Sequence, residues 1–85
     1  MTKDYEFHYT ICNQFDGEIF GKQCAAMEKR FPNLKKEQLL EDVDGTAFQL
    51  YHHENGDIYV VNDYLVGCVY VDSDFDLVPY FQKSA

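Results

Sequence analysis

Thr46-Ala47-Phe48-Gln49-Leu50-Tyr51-His52-His53-Glu54-Asn55-Gly56-Asp57-Ile58-Tyr59-Val60-Val61-Asn62 is the stretch that decides the fold. Apolar and polar residues alternate before and after Asn55-Gly56, and Asn-Gly between alternating runs is a strong short-range hairpin signal. The reading is a strand over 46–53, a two-residue turn at Asn55-Gly56 with both residues at positive φ, and a return strand over 57–62. In the first strand Phe48 and Leu50 alternate against Gln49 and Tyr51.

Downstream, Asp63-Tyr64 predicts a second tight turn. Leu65 to Val71 follows as a strand so apolar (Leu65, Val66, Val69, Val71) that it belongs in the middle of a sheet. Asp72-Ser73-Asp74-Phe75-Asp76 predicts another turn, and Leu77 to Phe81 a last strand. Pro79 cannot donate to a ladder, which places that strand at an edge.

Upstream, Tyr5 to Cys12 alternates strictly, with Tyr5, Phe7, Tyr9 and Ile11 on one face and Glu6, His8 and Thr10 on the other. Asn13 to Gly17 predicts a turn. Phe20, Cys24, Met27 and Phe31 then recur at helical spacing, and Pro32 ends that helix. Asn33 is positioned to cap a second short helix with Leu39, Leu40 and Val43 inward and Gly45 as its terminator. The order is β-α-α-β-β-β-β. It predicts an α+β fold in two layers, a mostly antiparallel sheet of four or five strands with one or two helices on one face.

The 85 residues are 46% hydrophobic, 16% aromatic and 26% charged, the composition of one small globular domain spanning 1–85. Seven Tyr and seven Phe oppose disorder despite a net charge of −8. No apolar run approaches the ~20 residues of a membrane span, and the opening residues lack the apolar stretch of a secretory signal. Cys12, Cys24 and Cys68 are odd in number and widely spaced, so free thiols in a reducing compartment are expected. These features together predict a cytoplasmic protein.

Charge is unevenly spread along the chain. Residues 1–21 carry −3, residues 22–36 carry +4, and residues 37–82 carry −10 with no Lys or Arg, leaving Lys83 to bring the total to −8. Carboxylates held within about a Debye length, ~8–10 Å, reinforce one another, repel nucleic acid and attract basic surfaces. Interleaved rings (Phe48, Tyr51, Tyr59, Tyr64, Tyr70, Phe75, Tyr80) would add anchoring to that steering, although some must be core. Five cations in 22–36 read as the solvated back of a helix, too weak a footprint for direct nucleic-acid binding.

Chemical motifs are sparse. His52 and His53 are adjacent, so on a strand they point to opposite faces and offer no zinc pair. Asp72-x-Asp74-x-Asp76 copies the start of a calcium loop, but Leu77 stands where the loop needs glycine and Lys83 where it needs glutamate. No phosphate loop, dinucleotide fingerprint or nucleophile elbow occurs, which argues against an enzyme and leaves no cofactor or metal to assign.

The expected function is a small acidic binding protein that docks on a basic surface of a larger protein, for example a nucleic-acid-binding enzyme, with no membrane or direct nucleic-acid contact. Its composition, not any motif, resembles that of inhibitors, immunity proteins and nucleic-acid mimics of phages and mobile elements, such as anti-restriction or anti-CRISPR proteins. The residues expected to carry docking are Glu54, Asp57, Asp63, Tyr64, Asp72, Asp74, Phe75 and Asp76, on solvated turns where they cost the fold little. The alternative is an accessory or homo-oligomeric domain whose acidity only confers solubility. A third reading is a small enzyme with a Cys/His centre, Cys12 or Cys68 with His8 or His52.

Overall fold

A computed structural model describes residues 5–81. The described elements are β1 (Phe7–Cys12), α1 (Gly17–Arg30), β2 (Lys35–Lys36), β3 (Leu40–Glu41), β4 (Ala47–His53), β5 (Gly56–Asp63), β6 (Cys68–Ser73) and α2 (Val78–Phe81). Six antiparallel strands form one sheet in the order β1-β6-β5-β4-β2, with β3 also paired to β4. The architecture is α+β, with α1 packed on one face of the sheet.

Asp16 begins the helix: its side chain accepts from the Glu18 and Ile19 amides at 3.0 and 3.1 Å, satisfying two donors that have no partner within the helix. Phe20, Met27 and Phe31 then form the buried stripe, against Ala47, Tyr51, Ile58, Val60, Val69, Val71 and Leu77. The apolar β6 is central, between β1 and β5. Leu65 and Val66 are outside it, in the β5–β6 loop, and are 82% and 71% exposed. Their loop is closed by the Gly67 amide on the Asp63 carbonyl at 2.9 Å.

The central hairpin is present with its turn displaced by one residue. Glu54-Asn55 is the loop, and Gly56 is already paired with His53. No residue other than glycine has positive φ among the described residues, so Asn55 does not; Gly56 does, at 137°. A side chain at Gly56 would also collide, since its Cβ would lie 2.5 Å from Asp74 Cβ. Asp57 and Asp74 continue the ladder past the turn. Asp74 N donates to the Asp57 carbonyl at 3.1 Å, and Asp57 N donates to Asp74 Oδ2 at 2.8 Å.

Two further readings are corrected. The second helix does not form: its segment makes β2, β3 and a turn into β4. Asp42 and Asp44 bond the amides of Val43 and Thr46 at 2.8 and 2.9 Å, a local geometry that competes with a helix, and Gly45 sits at φ 96°. Leu39, Leu40 and Val43 are left exposed, so no inward stripe existed to bury. The last strand is also replaced, by the short helix α2. The fixed φ of Pro79 suits a first helical turn as well as a sheet edge, and Asp76 Oδ1 accepts the Val78 amide at 2.9 Å.

The alternation of β4 is present, and its two faces differ in what covers them. Ala47, Gln49 and Tyr51 face the helix, while Phe48 and Leu50 lie on the opposite side. The buried Tyr51 donates to Glu28 Oε2 on α1 at 2.6 Å and also reaches the Cys24 carbonyl at 3.3 Å. Buried Gln49 donates to the Glu37 carbonyl at 2.6 Å. Polar groups that find such partners are as compatible with the interior as Phe or Leu.

Candidate functional site

One face of the sheet is covered by α1, and among the described residues no helix or strand covers the other. Register places Phe48, Leu50, Tyr59, Val61, Tyr70, Asp72, His8 and Thr10 on this open side. Val61 is 0% exposed although it lies outside the core cluster, because Phe48 and Tyr70 flank it as its cross-strand partners. Tyr59 stacks with Phe48 at 5.8 Å and with Tyr5 at 6.0 Å between ring centroids, and the His8 ring tilts against Tyr70 at 5.0 Å. Tyr5 thus turns to the open side rather than joining Phe7 and Tyr9. The result is a half-buried aromatic layer over which no second layer lies among the described residues.

Carboxylates border that layer. His8 Nδ1 is 2.5 Å from Asp72 Oδ1, and His52 bridges two acids, Asp57 at 2.8 Å and Glu37 at 2.7 Å. Hydrogen bonds that His52 donates to the Asp57 and Glu37 carboxylates raise its pKa above the ordinary histidine value, against a smaller opposing effect of desolvation. The cations lie mostly elsewhere. Lys22, Lys29 and Arg30 are on α1, and Lys36 reaches back to Glu28 at 3.0 Å. Among the described residues, only Lys35, paired with His52 at the β2 edge, brings a Lys or Arg to the open side. The charge segregation of the sequence therefore becomes a segregation by layer.

Of the residues expected to dock, Asp57, Asp63 and Asp72 border the open face. The others scatter. Strand β5 has eight residues, so its ends lie roughly 24 Å apart. Glu54, Asp57, Asp72, Asp74 and Asp76 gather toward the Gly56 end, while Asp63 and Tyr64 are at the other. Tyr64 meets Phe15 edge-on at 5.3 Å. Phe75 packs against the core, between Phe31 at 6.2 Å and His53 at 4.8 Å, which gives it a structural role.

Nor are these acids idle in the fold. Asp74 holds the hairpin, and Asp76 accepts both the Val78 amide and the Tyr9 hydroxyl, at 2.9 and 3.0 Å. The expectation that turn acids cost the fold little gives way to one in which several of them hold it together. The rings Phe48, Tyr59 and Tyr70, grouped in the sequence with Tyr51 and Tyr80, separate cleanly here. The first three are on the open face, whereas Tyr51 and Tyr80 pack with the core.

At the Asp63 end the open face deepens into a cavity of about 560 Å³. His8, Thr10, Asn13, Asp63, Cys68 and Tyr70 contribute to its wall. Cys68 lines this wall with His8 but is not beside it, since His8 pairs with Asp72, four residues or roughly 13 Å from Cys68 along β6. Its environment works against nucleophilicity, since burial, then Asp63 and Cys12, push the thiol pKa up. Burial likewise raises the Cys24 thiol. Among the described residues, no group of three or more His, Cys, Asp or Glu side chains could hold a metal ion. No described helix is long and apolar enough to cross a membrane. No protein-family model, no curated protein and no solved structure matches the chain.

Proposed function

We propose that this protein is a small acidic binding module that docks the open face of its sheet onto a basic surface of a larger protein. The observation that carries the reading is the aromatic layer of Phe48, Tyr59 and Tyr70, uncovered on one side and bordered by Asp57, Asp63 and Asp72. Interfaces combine an aromatic, uncharged centre with a polar rim, and the rim charge sets the sign of the partner. The rings supply contact area with few rotatable bonds to order, and the carboxylates steer approach. Carboxylate rims also oppose face-to-face pairing of two copies, which disfavours the homo-oligomeric alternative. An inhibitor or nucleic-acid mimic would use such a face to occupy a cationic groove.

The test is a pull-down from cell lysate at low and high salt, run in parallel with Tyr59→Lys. Tyr59 is only partly buried, so the substituted chain folds while a cation stands in the middle of the face. A partner held by the wild type at low salt, released by high salt and not held by the variant supports docking. Equal retention by both chains overturns it. Concentration-dependent self-association that Tyr59→Lys abolishes, without any partner, would transfer the reading to the homo-oligomer.

A further inference from the structure

The cavity at the Asp63 end of the open face has the chemistry of a receptor for one side chain, and we propose that it receives the guanidinium group of a partner arginine. The inference rests on the docking reading and names what the partner must present. The cavity is an open depression of about 560 Å³, with room for one flat side-chain group, beside the stacked rings of Phe48, Tyr59 and Tyr5.

Among the described residues the wall offers several acceptors and no Lys or Arg, and its one basic ring, His8, is turned to Asp72. Asp63 is the decisive group. Its Oδ1 accepts the Val66 amide at 3.1 Å, and no other bond to this carboxylate occurs among the described residues, so it retains capacity for a further donor. Asp72 is committed to His8. Thr10 and Asn13 add neutral oxygens. Tyr70 supplies an aromatic wall and lies in the field of both carboxylates: burial, then Asp63 and Asp72, push its phenol up to about 12. Its hydroxyl is therefore neutral at physiological pH, and an arriving cation would relieve the same field.

A planar guanidinium matches this wall better than an ammonium. Its fork of N–H donors can engage a carboxylate along an edge while its face stacks on a ring. An ammonium is a compact, strongly hydrated point charge that gains less from the Tyr70 ring. Cys68, the cross-strand partner of Asp63, is held as a neutral thiol by burial and by Asp63.

The experiment titrates the free, isotope-labelled chain with capped arginine (N-acetyl-arginine amide), followed by amide chemical shifts. Capped citrulline serves as the uncharged isostere and capped lysine as the ammonium control. Capped arginine should give saturable shifts confined to Thr10, Asp63, Gly67, Cys68 and Tyr70, and citrulline none. Lysine should bind at least threefold more weakly. Asp63→Asn keeps an acceptor for the Val66 amide and so preserves the loop, yet should weaken arginine binding at least fivefold; Tyr70→Leu should weaken it without moving the Asp63 loop signals.

Equal binding of citrulline, unchanged affinity in Asp63→Asn, or non-saturating shifts spread over the surface would overturn the assignment. Lysine binding as tight as arginine would overturn the guanidinium preference. The titration uses no macromolecular partner, so its failure alongside a partner lost by Tyr59→Lys removes only the pocket, and saturable arginine binding without such a partner removes only the docking reading.

Discussion

Replacing Gly56 by alanine challenges two independent features of one residue. Its φ of 137° is one that residues with a side chain rarely adopt, and holding alanine there costs about 1–3 kcal/mol. The added Cβ would also lie 2.5 Å from Asp74 Cβ, 3.0 Å from its Oδ2 and 3.2 Å from its Cγ. A Cβ–Cβ clash cannot be relieved by rotating the aspartate, so the backbones must separate, at an overpacking cost of about 1–3 kcal/mol. Separation also strains the Asp57 amide bond to Asp74 Oδ2. Alanine restricts the unfolded chain and returns about 0.4–1 kcal/mol. The net expectation is a loss of about 3 kcal/mol, a fall in Tm of roughly 12–24 °C for a domain of this size. Urea denaturation of wild type, Gly56→Ala, Asp74→Gly and the double variant separates the contributions. Removing the Asp74 side chain should recover at least about 1 kcal/mol of the Gly56→Ala loss as a coupling energy. A Gly56→Ala loss below about 0.5 kcal/mol, or additive variants, would refute the close approach of the hairpin to Asp74.

Tyr51→Phe should lower stability by about 1.5 kcal/mol, because it removes a charge-assisted bond and leaves Glu28 and the Cys24 carbonyl without that donor. Carboxyl titration should show Glu28, held below its ordinary value by Tyr51 and then Lys36, moving back up in the variant. The raised His52 pKa means that the folded chain binds this proton more tightly than the unfolded chain. The stabilisation it gives is thus complete below the unfolded value of about 6.5 and is lost as pH rises through the folded value. The stability difference between wild type and His52→Gln, measured by urea titration, should accordingly shrink as pH is raised from about 5.5 to about 9. Asp76→Ala should cost about 1–2 kcal/mol in thermal melts by uncapping α2 and removing the carboxylate acceptor of the Tyr9 hydroxyl, with Asp76→Asn recovering part of it.

The legible parts of the sequence were those where local chemistry and global packing agree. Alternation located β1, β4 and β5, and the Phe20/Cys24/Met27/Phe31 stripe located α1 with Pro32 just beyond it. Asn55-Gly56 marked the right hairpin but not its register, because the turn was fixed by the neighbouring Asp74 segment, distant in sequence. A period of two separates the two faces of β4 without saying which one a helix covers. Phe48 and Leu50 are more apolar than Gln49 and Tyr51, and only the partners Glu37 and Glu28 make the latter pair the buried one. Leu39, Leu40 and Val43 imitated a helical face, whereas Asp42, Asp44 and Gly45 held the signal for a turn. The acidic run was evident from counting. That its charge would border an uncovered aromatic face, with α1 carrying Lys22, Lys29 and Arg30, depended on sheet order.

The pairing of β1 with β6 joins residues far apart in the chain, Thr10 with Tyr70 and Phe7 with Ser73. On a ribosome adding about 5–20 residues per second, some sixty residues separate the synthesis of Thr10 from that of its partner, an interval of roughly 3–12 s. The β4–β5 and β5–β6 hairpins are local and can close within about 1–10 μs of their residues becoming free. The first strand to be made is thus among the last to be paired. For those seconds Phe7, Tyr9 and Ile11 are an adhesive, strand-forming segment with no sheet to join, a natural substrate for the chaperones that meet nascent chains.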